Sequence, residues 1–141
     1  MGLHAAVIQF APTTEKQQNL ATIRRLVTAA ADQGARLAVL PEYATFTNPT
    51  MDRSFVDSAE PLDGPSVTAL RELSEDTGVT LIAGVNEPDG QGRMYNTLVG
   101  IQRAEIVATY RKLHLYDAFG TKESQWVTPG AGATAAATAS A

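Results

Sequence analysis

Residues 4–10 read HAAVIQF and residues 36–40 read RLAVL, and these two short apolar runs, with a helical pattern between them, decide the fold. Pro12 follows closely on the first run and Pro41 ends the second. The first, mostly apolar over its whole length, suits a strand covered on both faces. Between the runs, Leu20, Ile23, Leu26, Val27 and Ala30 recur three or four apart, the spacing of one helix face. Thr13 or Thr14 is predicted to cap that helix, with Thr14 and Gln17 at capping-box spacing. Gly34 is predicted to end it.

The same pattern continues outward. Thr45 to Gly64, with Pro49 and Pro61, reads as a loop holding a short element. Pro65 suits the first turn of a second helix, whose buried stripe is Val67, Leu70 and Leu73 and whose stop is Gly78. Thr80 to Val85 is a third strand, so the order is β-α-β-α-β, a sheet with helices packed on it. Beyond it the texture changes. Residues 88–92 (PDGQG) are turn chemistry. Met94 to Ile101 and Glu105 to Tyr110 then read as two strands joined tightly around residues 102–104, a hairpin. The fold class is therefore α/β with a mixed sheet. Residues 131–141 contain only Ala, Thr, Gly and Ser and are predicted to be a structureless low-complexity tail. A Gly-x-Gly-x-x-Ala pattern at 130–135 falls in that small-residue stretch, with no strand before it, and is read as coincidence.

Composition excludes several function classes. With 141 residues the chain is one domain's worth of sequence, at net charge −4. Arg24–Arg25 and Arg111–Lys112 are too short to form a basic stripe, so no nucleic-acid partner is expected. No run approaches the roughly 20 apolar residues that cross a bilayer, and no secretory signal pattern opens the chain. No membrane association is expected, and a cytoplasmic location is the default. There is no cysteine, which removes disulfides, thiolate metal sites and thiol chemistry from these residues. His4 and His114 are not at metal-ligand spacing, so neither a metal nor a cofactor is expected.

Three ionisable residues fall just beyond predicted strand ends, where open α/β sheets bind their ligands. Glu42 follows Pro41, Lys112 follows the hairpin, and Glu123 lies in the loop 120–124. Each taken alone is compatible with a solvated strand-end charge or a helix cap. Taken together, Pro41-Glu42-Tyr43, Tyr95-Asn96-Thr97, the run 110–115 (YRKLHL) and Glu123-Ser124 followed by Pro129-Gly130 resemble the nitrilase superfamily of carbon–nitrogen hydrolases, as does Gln9-Phe10-Ala11-Pro12. The resemblance runs from about Leu3 to Gly130, in order, and is slightly closer to the amidase branches.

That resemblance implies a four-layer αββα sandwich of which about half is present, residues 1–130 forming the N-terminal part of the hydrolase domain. It implies a catalytic set in which Glu42 is the general base for a cysteine thiol, Lys112 stabilises the developing oxyanion, and Glu123 holds base and substrate in position. Tyr43, Phe46 and His114 are candidate substrate-binding residues, with ordinary packing the competing view of the two aromatics and a strand-end hydrogen bond that of His114. The family's nucleophile is a cysteine beyond the Pro-Gly turn, and no cysteine occurs here. The implied activity is cleavage of a small-molecule amide, absent from this chain alone. The alternative is a catalytically dead binding or assembly module on the same scaffold. A half-sandwich also leaves an apolar sheet face uncovered, so a homo-oligomer or association with a complete homologue is expected.

Overall fold

The computed structural model describes residues 2–135. The β-α-β-α-β order is present: β1 is Ala5–Val7, α1 Lys16–Asp32, β2 Leu37–Val39, α2 Arg53–Asp57, α3 Pro65–Thr77 and β3 Thr80–Pro88. The hairpin follows as β4 Met94–Gln102 and β5 Glu105–Arg111. A two-stranded ribbon, β6 Asp117–Ala118 and β7 Thr121–Lys122, and a strand β8 Ala133–Ala135 complete the elements. The main sheet has order β1-β2-β3-β4-β5-β8, parallel across its first three strands and antiparallel thereafter. A mixed sheet was expected, and the reason is local. Helical crossovers connect β1 to β2 and β2 to β3, whereas β4 and β5 are joined by two residues, Arg103 and Ala104, both at positive φ as a tight right-twisted hairpin requires.

The two long helices cover one face of the sheet. Ile23, Val27, Leu70 and Leu73 pack with Ala38, Leu81, Ala83 and Val99 into one core. Each of the Ile, Val and Leu side chains so buried contributes about 1.5–3 kcal/mol. The opposite face is bare. The pairs Val7↔Val39, Val39↔Ile82, Ile82↔Gly100 and Gly100↔Ala108 run across it, and Gly84↔Leu98↔Tyr110 lies beside them. Val7 is 86% exposed, with Leu98 and Tyr110 also exposed. The expectation that the first strand is covered on both faces is therefore corrected. β1 is an edge strand with helices on one side only, and an apolar run does not say which faces are covered.

Two further expectations change. The capping box at Thr14–Gln17 does not form. Glu15 is the N-cap, without a side-chain cap. Asn19, buried inside the first turns, instead accepts from the Thr13 N–H at 2.9 Å and donates to the Thr13 carbonyl at 2.7 Å and the Thr45 carbonyl at 3.0 Å. It thereby fastens the loop that follows Glu42 to the start of α1. The stretch expected to be a structureless tail supplies β8, whose backbone pairs with Ala108–Tyr110. Residues 136–141 of that stretch lie outside the described residues.

Candidate active site

Glu42 sits three residues past the end of β2, where the chain turns sharply, and Tyr43 has φ 52, a left-handed conformation costly for a residue with a Cβ. The turn is seated on Gly84 of β3. A Cβ there would lie 2.8 Å from the Tyr43 nitrogen and 3.0 Å from the Glu42 Cα. The Ala44 N–H donates to the Gly84 carbonyl at 2.9 Å. Only glycine admits the backbone that close. Lys112 follows the last residue of β5, its N–H donating to the Asn96 carbonyl at 2.9 Å, and its carbonyl accepts from Gly130 at 2.9 Å. Glu123 opens a single 3-10 turn, Glu123–Gln125, rather than lying in an open loop. The turn is tied to β6 by Asp117, whose carboxylate accepts from the Ser124 N–H at 2.9 Å and from its hydroxyl at 2.5 Å.

The three charges converge. Lys112 Nζ lies 3.2 Å from Glu42 Oε1, and 3.2 Å and 3.1 Å from the two oxygens of Glu123. The carboxylates differ in setting: the Glu42 side chain is 56% exposed and that of Glu123 only 4%. Glu123 is held by three kinds of donor, the Tyr116 N–H at 2.6 Å, the Tyr43 hydroxyl at 2.9 Å and Lys112. Burial works against its charge, but these donors outweigh burial and hold its carboxyl below the usual range. Burial likewise opposes the charge on Lys112, and its hydrogen bonds to Glu123 and Glu42 outweigh that, so the ammonium is held above the ordinary lysine value. Tyr43 is pushed far up by burial and by the adjacent Glu123 and Glu42, so it stays a neutral donor.

Two cavities meet at this cluster. One, of about 480 Å³, is lined by Glu42, Tyr43, Asn48, Met51, Phe55 and Tyr116 among others; the second, of about 380 Å³, opens toward the bare sheet face beside Gly84, Leu98, Tyr110 and His114. Glu42 and Lys112 line both. Of the six candidates, Glu42, Lys112, Glu123, Tyr43 and His114 thus gather at one place. Phe46 does not. It is buried with Phe55, Met94 and Val127 in a second small core, its ring edge-on to Phe55 at 5.6 Å. Phe55, from the segment 45–64 read mainly as loop, lines the cavity in its stead. Asn96, within the Tyr95-Asn96-Thr97 motif, joins the site: its Nδ2 donates to Glu42 Oε1 at 2.6 Å. Its place on a strand face, two residues before Leu98, was the available signal. Among the described residues no group of three or more His, Cys, Asp or Glu could hold a metal ion, and no helix is long and apolar enough to cross a membrane.

The arrangement offers an exposed carboxylate, a fixed cation and a buried carboxylate that keeps the cation charged, all beside open volume. Such a set can accept a proton and stabilise developing negative charge. Comparison with known proteins agrees in kind. The family model for carbon–nitrogen hydrolases matches residues 4–140. The chain is 38% identical over 134 residues to a hydrolase of Mycobacterium tuberculosis, covering 91% of this chain and 46% of that protein. It is 39% identical over 122 residues to the deaminated glutathione amidase of Escherichia coli O157:H7, covering 86% and 47%. Among solved structures, a carbon–nitrogen hydrolase from Helicobacter pylori superposes with a TM-score of 0.78 at 26% identity, covering 91% of this chain and 44% of that one. A glutamate-to-glutamine mutant of an amidase from Nesterenkonia sp. AN1 superposes with a TM-score of 0.75 at 25% identity, covering 92% and 50%, and in that mutant acrylamide has undergone Michael addition at the active-site cysteine. The chain spans about half the length of the curated relatives it matches.

Proposed function

This chain belongs to the carbon–nitrogen hydrolase family of the nitrilase superfamily, and from that premise we propose that it carries the charged part of an amide-hydrolysing site whose thiol comes from outside these 141 residues. The observation that carries the proposal is the meeting of Lys112 Nζ with Glu42 and Glu123 at 3.1–3.2 Å. In the proposed reaction Glu42 takes the proton of a cysteine thiol, and the thiolate adds to the carbonyl carbon of a small amide. Lys112 faces the oxyanion that forms, a contribution of about 2.7–4 kcal/mol where single oxyanion donors are removed. The amine leaves with a proton, a thioester remains, and water then releases the acid. Glu123 and Tyr43 hold the lysine and base in place. The bare apolar sheet face supports association with a complementary layer, in a homo-oligomer or with a complete homologue.

A second reading, a binding or assembly module without catalysis, starts from the bare sheet face, where Val7, Leu98 and Tyr110 are exposed. One experiment separates the two. The chain is joined to the cysteine-bearing remainder of the Nesterenkonia amidase, and ammonia release from small primary amides is measured. The proposal expects release from the folded joined protein and none from the chain alone. A folded joined protein that releases no ammonia overturns the amidase reading and leaves the binding module.

A further inference from the structure

Resting on the function proposed above, we infer that Asn96 is a positioning residue that fixes which oxygen of Glu42 is left free to take a proton. Asn96 is 6% exposed on β4 and touches every member of the charged cluster. Its Nδ2 donates to Glu42 Oε1 at 2.6 Å and, at longer range, to Glu123 Oε1 at 3.5 Å. Its carbonyl accepts the Lys112 N–H at 2.9 Å, which sets where the lysine leaves the sheet. Lys112 Nζ donates to the same Glu42 oxygen at 3.2 Å. Two donors therefore converge on Oε1, while Oε2 has no hydrogen bond to any described residue.

The need for such an anchor follows from the setting of Glu42. It sits on an exposed turn, and an unanchored glutamate exchanges its two oxygens and samples several rotamers. Lysine alone is a poor anchor because its ammonium rides on a flexible four-carbon stem. The Asn96 amide is short, sits within a central strand and presents two N–H donors in one plane, one for each carboxylate. It is also neutral, so it orients Glu42 without further offsetting the charge that a base needs. Glu42 and Lys112 thus stay in register, with one carboxylate oxygen reserved for the incoming proton.

The closing experiment reads the Lys112 side chain by NMR titration in the whole chain. Glu42, Glu123, Tyr43, Tyr110, Tyr116 and His114 are the titratable groups around it, and of these only Glu42 is altered. Glu42→Gln is expected to lower the Lys112 midpoint by on the order of one pH unit, the effect of removing one adjacent opposite charge. Asn96→Ala is expected to reproduce at least half of that drop, because the released Glu42 turns into solvent, and to add nothing when combined with Glu42→Gln. A merely structural role predicts lower stability with the midpoint within about 0.2 pH unit of the unsubstituted chain, or equal drops in both backgrounds, and either result overturns the inference. Should Asn96→Ala not fold, the side-chain amide protons of Asn96 itself decide: Glu42→Gln must shift them, and unmoved resonances refute the contact. In the joined protein, Asn96→Ala is expected to lower kcat while leaving KM unchanged. Inactivity of the unsubstituted joined protein sinks the amidase reading, not the positioning of Glu42.

Discussion

Arg111 and Lys112 are neighbours in sequence and belong to two ion-pair clusters on opposite faces of the same sheet. On the helix-covered side, Arg111 meets Glu87 through two hydrogen bonds, Nε to Oε2 at 2.9 Å and a terminal nitrogen to Oε1 at 2.6 Å. The Thr97 hydroxyl also donates to Glu87 at 2.7 Å, and the guanidinium lies 4.1 Å from the centre of the Tyr95 ring. Every strong acceptor there is used. On the other side, Lys112 is shared between two carboxylates, and one oxygen of Glu42 has no hydrogen bond to any other described residue. A saturated cluster fixes strands, whereas an unsaturated one beside open volume is available for chemistry. The alternation of side chains along β5 is what sends two adjacent cations to these different ends.

Substitutions on each side should break the symmetry between the clusters. The largest effect is expected for Arg111→Ala, which leaves the buried Glu87 without its cation and should cost about 3 kcal/mol in urea unfolding. Lys112→Ala should cost only about 1 kcal/mol, because Glu42 is exposed and Glu123 keeps the Tyr43 and Tyr116 donors. Equal losses would erase the distinction drawn between the clusters. Gly84→Ala places a methyl against the Glu42 turn and should cost about 2 kcal/mol, read as a lower urea midpoint with an unchanged slope.

Acid titration sharpens the comparison further. The folded-state pKa of Glu123 lies below its ordinary value of 4.5, so its contribution is complete above that pH and is lost as pH falls through the lower folded value. Glu123→Gln should therefore flatten the loss of stability below pH 4.5, read as a shallower fall of the urea midpoint with acid. Unchanged acid sensitivity would show that Glu123 is not held by its donors. The smallest change is expected on the bare face, where Leu98→Ser should alter stability by less than about 0.5 kcal/mol while reducing self-association in sedimentation.

The main elements were legible because apolar runs and helix-face spacing report burial directly. The β-α-β-α-β order, the Gly34 and Gly78 stops and the β4–β5 hairpin came from that signal. Which face of the sheet lies bare was not legible, because a run such as residues 80–85 is apolar at the positions facing both sides. The ribbon Asp117–Lys122 and the strand Ala133–Ala135 were also missed. The first is two residues per strand with a glycine turn, and the second is built of small residues that carry no pattern. The three charged site residues were found by motif resemblance, since convergence across 70 residues, as between Glu42 and Lys112, has no local signature. Phe46 was misplaced because an aromatic beside a site residue reads the same whether it lines a cavity or fills the core behind it.

The most direct test is to compare ammonia release by the joined, cysteine-supplied protein with that of its Lys112→Met form, both confirmed as folded. The account predicts a fall in kcat/KM of about 100-fold or more, as when an oxyanion-stabilising donor is removed. Activities within about twofold of each other would contradict it, since the cation would then face no developing charge.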